Sequence, residues 1–270
     1  MKVKRYGLAL VSVVAMLVAA GAPLARPAHA VMMMGSLRLL APAPGTVVTG
    51  DTLAVKIAVK GITLDCAWAG KANREGLGHW HVLLDGALVN MYCGTGAALS
   101  LQNVPPGKHT LMAVLAANNH MEMMGKGQMA RTSFVYQPAA ALPMLTPYQE
   151  SAKPTISILA PNDGATVGEH FVVELAWTNF RPSCDLFGKK NLKGYGHWHL
   201  NIDTMMGPMM GMGTMLLMGC THSATVFTEG LRPGRHKLFA LLVDDQHAPL
   251  MPEVATSITI NVKPGATGPM

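Results

Sequence analysis

From Ser36 to Gln137 short apolar segments alternate with turn residues, and no stretch spaces its apolar positions as an amphipathic helix would. The alternation predicts strands near 36–40, 53–59, 79–84, 88–92, 97–101, 109–116 and 131–136. Turns are expected at Pro42 to Gly45, at Asp85-Gly86 and at Pro106-Gly107. Seven short strands at this spacing point to an immunoglobulin-like β-sandwich, with a small closed barrel as the alternative.

The pattern then repeats. Gly78-His79-Trp80-His81 returns as Gly196-His197-Trp198-His199, and Cys66 returns as Cys184, both displaced by 118 positions (197 − 79 and 184 − 66). Nine extra residues in the second copy raise the displacement to 127, which carries Cys93 onto Cys220, His109 onto His236 and His120 onto His247. A constant offset over so many uncommon residues marks an internal duplication. The expected organisation is an N-terminal signal peptide over 1–30, one β-sandwich over 36–137, a Pro- and Ala-rich linker over 138–154, and a second β-sandwich over 155–262. The fold class is therefore all-β, two tandem immunoglobulin-like domains behind an export signal.

The signal rests on basic Lys2, Lys4 and Arg5, an apolar run from Leu8 to Ala20, and Ala28-His29-Ala30 as a cleavage site. That run is 13 residues long, short of the roughly 20 that span a bilayer, and no later stretch is apolar enough to do so. Removing the segment takes four of the 21 basic residues and none of the 15 acidic ones, leaving 17 against 15, a net charge of +2. So mild a charge gives no reason to expect a nucleic-acid partner. The expected location is periplasmic or secreted.

Export changes the reading of the four cysteines. In an oxidising compartment they are expected as disulfides, and the duplication favours Cys66 with Cys93 and Cys184 with Cys220, one bridge inside each copy.

The histidines carry the candidate chemistry. Side chains alternate along a strand, so Trp198, Leu200 and Ile202 face one way while His197 and His199 face the other, onto a face that need not be buried. The first copy places His79 and His81 in the same way. In an immunoglobulin-like sandwich the histidine strand is third and the strand from His109 is sixth, and these two are antiparallel neighbours. That brings His120 to His79 and His81, and His247 to His197 and His199, and sets His109 and His236 at the far end. Three imidazoles suit copper or zinc, although a histidine at a strand end also serves simply to tie down a loop. Seven of the 14 residues from Met205 to Met218 are Met, Met121, Met123 and Met124 adjoin His120, and Met32 to Met34 open the mature chain. Thioethers select Cu(I), or else form a polarizable apolar surface.

Catalytic patterns are missing: there is no G-x-S-x-G, no H-E-x-x-H and no phosphate-binding glycine loop, while Asp85 and Asp203 sit at expected turns. The sequence Gly-His-Trp-His with an apolar strand and Asp85, then Pro106-Gly107-Lys108-His109-Thr110, then Asn118-Asn119-His120, resembles a bacterial extracytoplasmic immunoglobulin-like domain with GHxH, PGxH and (N/D)xH motifs. The resemblance covers both copies and implies an envelope or secreted module without established catalysis. The expectation is a non-catalytic binding protein holding copper or another transition metal through His clusters and Met-rich loops. The alternative is a metal-free module that contacts an envelope protein or glycan.

Overall fold

The computed structural model describes residues 35–140, 142–148, 152–206 and 209–264, so the segment read as a signal peptide and Met32 to Met34 lie outside the described residues. The first copy consists of β1 (Ser36–Ala41), β2 (Thr46–Val48), β3 (Thr52–Lys60), β4 (Thr63–Leu64), β5 (Leu77–Leu84), β6 (Ala87–Tyr92), β7 (Gly96–Ser100), β8 (Gly107–Ala116) and β9 (Met129–Tyr136). The second repeats that order as β10 (Thr155–Ala160), β11 (Ala165–Val167), β12 (His170–Thr178), β13 (Arg181–Pro182), β14 (Tyr195–Ile202), β15 (Met215–Gly219), β16 (Ser223–Phe227), β17 (Gly234–Val243) and β18 (Ala255–Val262).

Each copy is a sandwich of a three-stranded and a six-stranded sheet. The smaller sheets run β1-β3-β7 and β10-β12-β16. The larger run β2-β9-β8-β5-β4 and β11-β18-β17-β14-β13, with β6 and β15 paired to β5 and β14. The chain is thus all-β with two sandwich domains, and both belong to one compact unit. Two-residue periodicity builds the cores. Leu53, Val55 and Ile57 of β3 point inward against Trp80, Val82 and Leu84 of β5, while Thr52, Ala54 and Lys56 are exposed.

Cys66 is bridged to Cys93 and Cys184 to Cys220, with Cα–Cα distances of 5.5 and 5.7 Å, and no cysteine among the described residues is free. Each bridge lies beside the core tryptophan: Trp80 Nε1 donates to the Gly94 carbonyl and Trp198 Nε1 to the Thr221 carbonyl. Asp85 and Asp203 turn their hairpins at φ 52° and 61°, accept from the Thr110 and Lys237 amides, and engage His109 and His236.

The histidine face of β5 and β14 was expected to have no need of burial, yet both strands are buried on both faces, with His79 and His197 each 0% exposed. The reason is that the two copies pack together. Phe187 and Met218 of the second copy join the core of the first, and the linker is pinned to both, through Asn103 to Leu145 and through Tyr148 to the Lys193 carbonyl.

Replacing both Cys66 and Cys93 by Ser, which opens a crosslink spanning 27 residues, is expected to cost about 3–4 kcal/mol in chemical denaturation.

Candidate metal centres

β5 and β8 run antiparallel with His79 opposite Ala116 and His81 opposite Val114. The turn after β8 then carries His120 back over the start of β5. Its Ala117 carbonyl accepts from the His120 amide, and His120 itself takes a left-handed φ of 63°, a conformation that a non-glycine residue adopts only under tertiary constraint. The second copy does the same: His197 lies opposite Val243, His199 opposite Leu241, and His247 has φ 68°.

The outcome is two clusters of three nitrogens. His79 Nε2 lies 3.1 Å from His81 Nε2 and 3.0 Å from His120 Nδ1. In the second copy the three separations are 3.0 Å (His197 Nε2 to His199 Nε2), 2.9 Å (His197 Nε2 to His247 Nδ1) and 3.4 Å (His199 Nε2 to His247 Nδ1). Nitrogens bound at about 2.0–2.1 Å around a tetrahedral ion are about 3.3 Å apart. Each cluster could therefore hold a metal ion with little rearrangement.

The far sides of the rings show which nitrogens carry protons. His120 Nε2 is 2.8 Å from the Met215 carbonyl and His247 Nε2 is 3.0 Å from the Leu88 carbonyl; a carbonyl only accepts, so each ring donates there and turns an Nδ1 lone pair inward. His81 Nδ1 is 3.1 Å from Glu122 Oε1, which leaves the His81 Nε2 lone pair inward as well. In the first cluster a single proton shared among three nitrogens, or a cation, must satisfy these converging lone pairs. The Nδ1 atoms of His79 and His197, on the far side of those rings, are buried without a partner.

Both carbonyl acceptors belong to the other copy. Met215 begins β15 and Leu88 lies in β6, and they are equivalent under the 127-residue displacement (215 − 88), so the contact is reciprocal. Gly70 lies against the Met215 carbonyl and Gly188 against the Leu88 carbonyl, where a side chain would overlap the backbone. Lys71 adds a third tie, donating to the Phe227 and Glu229 carbonyls across the interface. These residues were not singled out from the sequence, although Gly70-Lys71 and Gly188-Lys189 obey the 118-residue displacement and could have been.

Burial disfavours the charged form of five of the cluster rings. It pushes the imidazoles of His79, His197 and His199 well below the usual value, that of His120 to about 3 and that of His247 to about 4. Neighbouring rings act in the same direction, and His199 also senses His120 of the other copy.

The methionines are placed differently from the histidines. Met121 and Met124 are 55% and 57% exposed, Met123 and Met218 pack on the first core, and Met212 and Met215 are buried. The Met-rich insertion closes into a 3-10 turn, Met209–Thr214, tied back by Asn201 Nδ2 to the Gly211 carbonyl, and it reaches the first centre through the Met215 backbone. His109 and His236 lie outside the clusters, paired with Asp85 and Asp203.

Five depressed imidazoles make the unfolded chain bind more protons than the native one between about pH 6.5 and about pH 3–4, so stability falls as pH falls through that window. Asp245, raised by burial to about 6, opposes this in part. The urea midpoint of the metal-free protein is expected to drop steadily from about pH 6.5 to about pH 4. A constant midpoint over that range would show that the rings are not buried neutral.

No family model matches the chain, and no curated protein matches it in sequence. Similar solved structures include an endo-β-1,4-mannanase from Thermotoga petrophila (14% identity, TM-score 0.25, 42% of this chain and 20% of that one). Others are dimeric latent PorU from Porphyromonas gingivalis (9%, 0.27, 84% and 20%) and Dscam, solved for its isoform specificity (9%, 0.21, 84% and 46%). The chain thus spans less than half the length of each of these three, and likenesses this slight say nothing about its function. No helix among the described residues is long and apolar enough to cross a membrane.

Proposed function

We propose that this chain is an exported, non-catalytic protein that holds one transition-metal ion in each of its two three-histidine centres. The observation that carries the reading is the convergence of three imidazole nitrogens to within 3.4 Å in the second copy and to within 4.8 Å in the first, with the outward nitrogens of His81, His120 and His247 each facing a fixed acceptor. Neutral imidazole is the ligand form, and burial lowers the proton affinity of His79, His120, His197, His199 and His247, which keeps those five rings in it at neutral pH. Rings no more than 3% exposed present no solvent-facing edge to a substrate, which supports holding rather than turnover. The same burial argues against the histidine face as a docking surface for a protein or glycan. Nitrogen donors accept copper and zinc alike, and the exposed thioethers of Met121 and Met124 beside the His120 turn favour copper, whose Cu(I) form takes both donor types. The two disulfides support an oxidising, periplasmic or secreted setting.

The purified chain is expected to take up two equivalents of Cu(I) or Zn(II) by equilibrium dialysis. Replacing His79 and His81 by Ala should remove one equivalent, and further replacing His197 and His199 should remove the other. Stoichiometric uptake that survives loss of all six histidines would contradict the assignment.

A further inference from the structure

We propose that Glu122 makes the two centres unequal: acting through the His81 ring, it makes the first centre the tighter site for a divalent cation, and the second centre fills after it. This deepens the metal-binding reading and rests on it. The duplication supplies the comparison. Glu122 bridges to Ala116 and Pro249 bridges to Val243, so the two residues occupy the same place relative to β8 and β17, and only the first can offer a carboxylate. Glu122 Oε1 accepts from His81 Nδ1 at 3.1 Å, with the side chains 24% and 1% exposed. A carboxylate behind a ligating imidazole makes the inward nitrogen a stronger donor and sets a negative charge one ring away from the ion. In a buried site that charge counts, because a dication surrounded only by neutral nitrogens is poorly compensated.

No carboxylate hydrogen-bonds a ring of the second cluster among the described residues, and the Asp244 charge reaches His247 only through space. Asp244 is committed to the Gln246 and Ala248 amides and to Asn191 Nδ2, and Asp245 accepts from the Leu192 amide. Instead the Phe187 ring stands 4.3 Å from the His197 ring, where the first copy has Ala69. An apolar ring in place of a small side chain further disfavours a double charge. Glu122 is thus a positioning residue for His81, and its influence should be smaller on a monovalent ion.

The purified chain would be titrated with Zn(II), and separately with Cu(I), against a competing chelator. Zn(II) should show two dissociation constants about 10–100-fold apart, with a narrower gap for Cu(I). Glu122→Gln keeps an acceptor for His81 but removes the charge, and should weaken the tighter Zn(II) constant by that factor while leaving the weaker one and the metal-free melting temperature unchanged. Pro249→Glu, which adds the carboxylate to the second copy, should tighten the weaker constant. Equal Zn(II) constants, a shift of both constants together in Glu122→Gln, or a gap as wide for Cu(I) as for Zn(II) would overturn the inference while leaving metal binding intact. No uptake of either ion would instead overturn the metal-binding reading itself.

Discussion

The hydrogen bond from His120 to the Met215 carbonyl, with its counterpart from His247 to the Leu88 carbonyl, is the contact on which the rest of the structure turns. It fixes the tautomer of the third histidine in each cluster, and so decides that a lone pair rather than an N–H points at the other two rings. It also joins the copies, because each acceptor sits on the strand that flanks the opposite histidine strand. The geometry of a centre and the docking of the domains are therefore one constraint. If the copies were to separate, His120 and His247 would lose their acceptors and the six rings would regain water.

That constraint accounts for features that otherwise look costly. Six imidazoles are buried at 0–3% exposure, His120 and His247 hold left-handed backbone at φ 63° and 68°, and glycines pack directly on backbone carbonyls. Burial of so many polar rings is tolerable only when they are neutral and mutually satisfied. A cation shared by three lone pairs meets that need better than one shared proton. Metal binding in this account draws on strain and desolvation that the fold already carries.

Much of the architecture was legible in the chain because strand alternation and duplication are local or comparative signals. Leu53, Val55 and Ile57 announce an inward face by period two, and the constant displacement pairs the cysteines and nominates His120 beside His79 and His81. What was not legible depends on how the copies meet. The burial of the outer histidine face, the roles of Met215 and Leu88 through their backbone carbonyls, and the anchoring of Lys71 across the interface have no signature along one copy. Glu122 was hidden for a different reason: it breaks the repeat, and a search for matched residues passes over a residue that has no match. The methionines were less legible than the histidines, because their abundance did not tell exposed Met121 and Met124 from buried Met212 and Met215, and the contact of Met215 with the first centre runs through its main chain.

The central claim is that each copy closes three imidazole nitrogens on one ion. Crystals of the metal-loaded protein, measured at the absorption edge of the ion, test it most directly. The account predicts two anomalous peaks, one about 2.0–2.1 Å from Nε2 of His79, Nε2 of His81 and Nδ1 of His120, and one at the same distance from the matching atoms of His197, His199 and His247. Peaks found only at methionine sulfurs, or none at either histidine cluster, would contradict it.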